Sequence, residues 1–327
     1  MSDAGAMQPA MASGGAFVRR ALRSLGLVSV LAVLCLIAYA ISPSFGRVSN
    51  ILDVGRQMAM YGLISIGQTF VILGAGIDLS VGSIVAVAAV LSAQMLVAGA
   101  PVWLVMIAGI AIGMAYGAIN GVGITVFRVP PFIMTLGTMV MGQGLALTLC
   151  DGYLVSTGAR AADFNFFGAS YLIGLPTPVW MMLLIAAIAY LVLNYTIFGR
   201  SLYAVGSNTE AARLAGIGVK RMIFMTYVIS GALAGLTALV FVSRLTVGDP
   251  TFGQGLELES IAVVVIGGTS LFGGEGGVVG TLIGAAIVAV LANVLNLVGI
   301  SPFAQPIVKG SIIILAVLFE VQRSRRR

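Results

Sequence analysis

The sequence predicts an all-α fold: a polytopic transmembrane helical bundle of about ten spans, with both termini cytoplasmic. Three observations predict it. Of 327 residues, 59% are hydrophobic and only 9% charged, against roughly 25% charged in soluble domains. The apolar runs are continuous, as from Ser29 to Ile41 and from Trp180 to Leu193, whereas barrel strands alternate apolar and polar positions. Backbone groups in lipid must also be bonded within their own segment, which favours helix.

A span needs about 20 apolar residues. Such windows fall at 23–42, 55–74, 79–98, 102–125, 131–150, 177–197, 222–243, 257–271, 277–297 and 303–321, the eighth being short. The chain divides into a flexible cytoplasmic tail at 1–22, a transmembrane domain at 23–321 and a basic cytoplasmic tail at 322–327. The arginines from Arg19 to Arg23, the apolar run and Ala38-Tyr39-Ala40 imitate a cleavable signal peptide. Cleavage would misplace one chain end relative to its arginines, so the first span is kept. Most of the 17 basic residues then fall on inside loops and tails. Arg47, Arg56, Arg160 and Arg244 fall outside, and Lys309 within the last span. Basic residues at ends and loops, not in a stripe, point to membrane topology and away from nucleic acid.

Several classes of chemistry are excluded. Histidine is absent, which removes His-based acid–base catalysis and most zinc sites. Cys35 and Cys150 lie far apart and suggest neither a disulfide framework nor a metal site. No catalytic residue is predicted, and the chain has no G-x-x-x-x-G-K-[ST] loop for nucleotide phosphates. It binds no cofactor of its own on this reading.

Small residues recur at helical spacing. Gly109, Gly113, Gly117 and Gly121 share one face, as do Gly276, Gly280 and Gly284, and Gly231 and Gly235. This spacing predicts close helix packing. Two polar breaks, Gly74 to Ser83 and Gly267 to Gly277, interrupt apolar stretches. They fit inside turns between antiparallel helices, or unwound segments lining a pathway. Asp78 and Ser80 are competing caps for the third span.

The loop 199–221 is the most informative. Ser207 and Glu210 form a capping-box pattern. Ala211, Ala212, Arg213 and Leu214 favour helix, and Gly216 stops it. A short surface helix follows, with Leu214 as an apolar knob and Arg213 and Glu210 as a polar rim, suited to docking in a groove of another protein. A solvated connector is the plainer reading.

The phrase Glu210-Ala211-Ala212 followed by Gly216 resembles the EAA-x-x-x-G signature of ABC importer permeases. GIDLSVGS at 76–83, TLGT at 135–138, GRSLYAVGSNTEAARLAGI at 199–217 and ELESIAVVVIGGTSLFGGEGGVVGTLIGA at 257–285 resemble the ribose-type monosaccharide permease family, as do LNLVGIS at 295–301 and QPIVKGSIIILAVL at 305–318. Glu275 departs from the family pattern, which has a basic residue there. The resemblance implies a ten-helix inner-membrane permease paired with a second copy, identical or a paralogue. It implies a cytoplasmic ATPase that uses ATP and Mg, and a periplasmic sugar-binding protein. The loop helix, with Glu210, Ala211, Ala212, Arg213, Leu214 and Gly216, would couple to the ATPase, and the bundle would move a monosaccharide by alternating access.

A sugar path needs hydroxyl and amide partners. Its candidates within spans are Gln68, Thr69, Asn120, Thr135, Thr138, Gln143, Asn293, Asn296 and Gln305, each of which would also serve to bridge helices. Lys309 is an intramembrane charge that would snorkel or pair with a helix carbonyl. Arg244, Asp249, Glu257 and Glu259 form an outer-mouth set suited to meeting a binding protein. The main rival is an ion-coupled secondary sugar transporter, which would place carboxylates near the midplane. Asp78, Glu257, Glu259 and Glu275 all read as near span ends, which argues against it. A membrane enzyme is the second rival, with no carboxylate pair brought together by this topology.

Overall fold

A computed structural model describes residues 12–301, 303–308, 310 and 311. Lys309, the C-terminal part of the 303–321 window and the 322–327 tail lie outside the described residues, as do residues 1–11. The chain is helical nearly throughout. In order the helices are α1 Ala12–Ile41, α2 Val48–Leu73, α3 Val81–Val97, α4 Val102–Thr125, α5 Pro131–Leu149, α6 Ala161–Phe164, α7 Thr177–Tyr195, α8 Ile197–Ser207, α9 Thr209–Leu214, α10 Val219–Leu245, α11 Leu256–Ile266 and α12 Val278–Leu297. Five of them, α4, α5, α7, α10 and α12, are long and apolar enough to cross a membrane by length and composition. Helix α1 begins at Ala12, inside the stretch that the sequence assigns to a tail.

The core is built by α2, α3 and α10. The second half of α2, from Ala59 to Leu73, is buried on every side, as is most of α3. A helix apolar all round belongs at the centre of a bundle. Helices α4, α5 and α7 instead expose large apolar side chains, including Trp103, Ile107, Met141 and Leu184. Exposed apolar faces of this extent suit a lipid or protein neighbour.

The glycine faces explain the tightest packing. On α4, a side chain at Gly113 or Gly117 would strike the backbone of Gly231 or Tyr227 on α10; one at Gly231 would strike Gly113. Gly280 and Gly284 of α12 meet Gly267 and the Val263 carbonyl of the α11 end in the same way. The recurrent spacing therefore builds contacts between helix backbones.

Two segments depart from the predicted topology. The first is the break after α2. Asp78 and Ser80 are wholly buried, and the Ser230 hydroxyl donates to Asp78 at 2.9 Å. Ser230 lies roughly 17 Å along α10 from Val219, at 1.5 Å per residue. The chain thus turns back inside the bundle, and α3 starts there instead of at a surface. Asp78 is buried level with Gln68, about 8 Å along α2 from its end at Leu73. The second is the window 257–271. Helix α11 has 11 residues, about 16 Å of rise against a hydrocarbon core of about 30 Å. The segment before it descends along α3, with Gly248 against Ala89 and Ala93, and Gly253 against Gly82.

The loops collect at two ends. At one end lie α8, α9, the end of α2 and the 268–277 segment. There the Gly274 amide donates to the Leu73 carbonyl at 3.0 Å, and Gly206 leaves no room for a side chain beside that carbonyl. At the opposite end, Val155–Ser156 pairs antiparallel with Val247–Gly248, and Tyr171–Leu172 forms a hairpin with Leu175–Pro176. That hairpin and α6 form a short element on the 151–176 connection.

Candidate functional site

Two regions carry the residues that the sequence singles out. The first is α9. Its N-cap is Asn208, whose side chain accepts from the Ala211 amide at 2.9 Å. Ser207 instead ends α8, so the Ser207–Glu210 capping box does not form. Asn and Ser cap about equally well, and the end of α8 decides between them. At the other end, the Gly216 amide donates to the Arg213 carbonyl and the Ile217 amide to the Ala212 carbonyl, each at 3.0 Å. This is a Schellman closure, with Gly216 at φ +80.

Between the caps, Ala212 is buried while Leu214 is 75% exposed. The Arg213 guanidinium donates to both Glu210 oxygens, from Nε at 3.1 Å and from Nη2 at 2.5 Å. That pairing holds the Glu210 carboxyl below its ordinary range and raises Arg213. The result is a rigid, self-paired knob with one apolar tip. It stands on α8, an 11-residue helix capped by Thr196, which the sequence reading left as loop.

The second region is the interior. The Asp78 carboxylate accepts from the Ser80 amide at 3.0 Å and the Ser80 hydroxyl at 2.6 Å. Asn120 donates to the Ser80 hydroxyl at 2.8 Å, and Thr138 donates to Asn120 at 2.7 Å. With its amide oriented to match donors and acceptors, Gln68 pairs with the Asp78 backbone at 3.3 Å. One network therefore joins α2, α3, α4, α5 and α10. Ser230 is the member that sequence reasoning missed, since a serine in an apolar helix gives no sign of its partner.

The other path candidates are mostly helix bridges. Thr69 meets Thr281 at 2.7 Å. Thr135 faces the Ile77 carbonyl at 3.4 Å. Asn293 and Asn50 exchange amide hydrogen bonds at 2.7 and 3.0 Å, and Gln305 donates to Asn296 at 2.7 Å. Gln143 differs: it lines a small cleft together with Ser83 of α3 and Gln254 and Glu257.

The outer-mouth set packs against α2, the cleft and its own loop. Glu257 sits in that cleft, with Oε1 accepting from the Gly255 amide at 3.2 Å. Glu259 lies against Tyr61. Arg244 is packed beside Met60. Asp249 accepts from the Thr251 amide and hydroxyl, both at 2.7 Å. Among the described residues, no group of acidic, Cys or His side chains is placed to hold a metal.

The family model described as "Branched-chain amino acid transport system / permease component" matches residues 50–317. The chain is 44% identical over 303 residues to the ribose import permease protein RbsC of Bacillus subtilis (strain 168), covering 93% of this chain and 94% of that one. It is 39% identical over 298 residues to the D-allose transport system permease protein AlsC of Escherichia coli (strain K12), covering 90% of each. It is 34% identical over 302 residues to the L-arabinose transport system permease protein AraH of the same strain, covering 92% of each. No solved structure matches the chain.

Proposed function

Because this chain belongs to the family of branched-chain amino acid transport system / permease components, we propose that it is the membrane-spanning subunit of an ABC importer for a monosaccharide. The sugar class follows from the ribose, allose and arabinose permeases that it resembles over nine-tenths of its length. The ion-coupled reading has no such support, even with Asp78 deep in the bundle.

The observation that carries the coupling is α9, a doubly capped helix with a 75% exposed leucine at its tip. On this reading the α9 end faces the cytoplasm, as do both chain termini, and about ten segments enter a bacterial inner membrane. Helix α9, with Glu210, Ala211, Ala212, Arg213, Leu214 and Gly216, docks on a separate ATPase that holds ATP and Mg. Leu214 fills a groove there, and the Glu210–Arg213 pair sets the rim. A second permease copy, identical or a paralogue, covers the exposed apolar faces in part, and a periplasmic sugar-binding protein delivers substrate to the opposite end.

Closure of the ATPase then moves α9. Gly206, Leu73 and Gly274 pass the motion by backbone contact to α2 and the break before α3. A displacement of packed backbones is transmitted and not absorbed, because protein interiors are close-packed.

The test is uptake of labelled ribose, allose and arabinose by proteoliposomes holding this chain, the ATPase and the binding protein. Uptake that needs ATP hydrolysis and ignores imposed ion gradients is expected. Gradient-driven uptake without ATP would sink the reading.

A further inference from the structure

Gln143 lies in a narrow crevice, too tight in this structure to admit a water molecule, where two interrupted segments meet. Gly82 and Ser83 belong to the first turn of α3, which starts inside the bundle, and Gln254 and Glu257 flank the start of α11. Gly82 and Gly253 touch backbone to backbone. The Glu257 Oε2 atom sits beside Gly82, in space that a side chain there would fill. Gln143 reaches the cleft from α5, about 18 Å along that helix from Pro131.

We propose that this cleft is a sugar-contact site of the translocation path, in which Glu257 accepts hydrogen bonds from a vicinal diol and the Gln143 and Gln254 amides meet the neighbouring hydroxyls. The inference rests on the permease reading above. A carboxylate accepts through two oxygens and about four lone pairs. Oε1 is shared with the Gly255 amide, and Oε2 is the atom nearest the wall formed by Gly82. Amide side chains both donate and accept, which matches hydroxyls that do the same.

The residues lining the cleft include no lysine or arginine. A neutral polyol would meet these side chains through its hydroxyl groups alone.

The test compares ATP-driven uptake of ribose and 2-deoxyribose by the full reconstituted complex, with allose and arabinose alongside their own 2-deoxy analogues. The binding protein is the same throughout, so any change in the ratio of sugar to deoxy-sugar between wild type and variant belongs to this chain. Glu257→Gln is expected to lower uptake of the full diol by about tenfold or more, the worth of a hydrogen bond to a charged group. It should lower uptake of the deoxy analogue less, so that the ratio falls at least threefold. Gln143→Ala and Gln254→Ala should move the ratio the same way, and they carry the test should Glu257→Gln fail to fold. Equal falls for both sugars, or unchanged uptake, overturn the assignment. Equal falls together with lost capture of the binding protein mark Glu257 as a docking residue. A wild-type complex that takes up none of the three sugars with ATP fails the permease reading itself, a separate result.

Discussion

The Ser230 hydroxyl donates to Asp78 Oδ2 at 2.9 Å, tying the centre of α10 to the break between α2 and α3. Its removal leaves a wholly buried carboxylate with one donor fewer. Ser230→Ala should lower stability by about 1.5–3 kcal/mol, the range for hydrogen bonds to charged groups. Thermal melting of the detergent-solubilised protein reads this, and a melting temperature equal to wild type would count against the network.

Opposite effects are expected from one substitution made at two glycines. At Gly231 a methyl group strikes the Gly113 backbone, and at Gly137 it meets open space. Gly231→Ala should destabilise by about 1–3 kcal/mol through overpacking. Gly137→Ala should be neutral or gain up to about 1 kcal/mol of helix propensity. Equal melting shifts for the two would refute the close α4–α10 approach.

Asn208→Ala should loosen α9 by about 1 kcal/mol. Amide exchange at Ala211, the capped N–H, should quicken roughly fivefold. Ser207→Ala should leave that amide protected, whereas protection lost at the Glu210 amide with Ser207→Ala would restore the capping box.

At Gly216, alanine has space for its methyl group but not the backbone, since φ is +80. Strain of about 1–2 kcal/mol is expected, weakening ATPase association about 5–30-fold. Leu214→Ser should leave melting within about 0.5 kcal/mol, because the side chain is exposed, while costing more than about 1 kcal/mol of association. Normal binding by both variants would remove α9 from the interface.

The long membrane helices were legible because their signal is local. Continuous apolar runs define α4, α5, α7, α10 and α12, and the glycine spacing on α4 and α10 marks the faces that meet. Helix α9 was legible from its punctuation, a capping-box pattern from Ser207 to Glu210 and a stop at Gly216, although the cap itself is Asn208. Depth was not legible. Hydropathy marks Gly74 to Ser83 as a break but says nothing of whether it lies at a surface, and Asp78 goes to the interior because α2 overshoots the start of α3. The short window at 257–271 runs past the end of α11 at Ile266 into Gly267-Gly268-Thr269-Ser270, the start of the polar break. Gln143 stood out as an amide in an apolar helix. Ser83 and Gln254 did not, since only the descent of the 246–255 segment brings them together with Glu257.

Helices α3 and α11 both begin at the cleft, and a helix start carries about half a positive elementary charge from its aligned peptide dipoles. Two such starts flank the carboxylate of Glu257. Each start also carries a second carboxylate, Asp78 before α3 and Glu259 in the first turn of α11. Backbone dipoles, not a lysine or arginine, therefore stand nearest the carboxylates where these two helices begin.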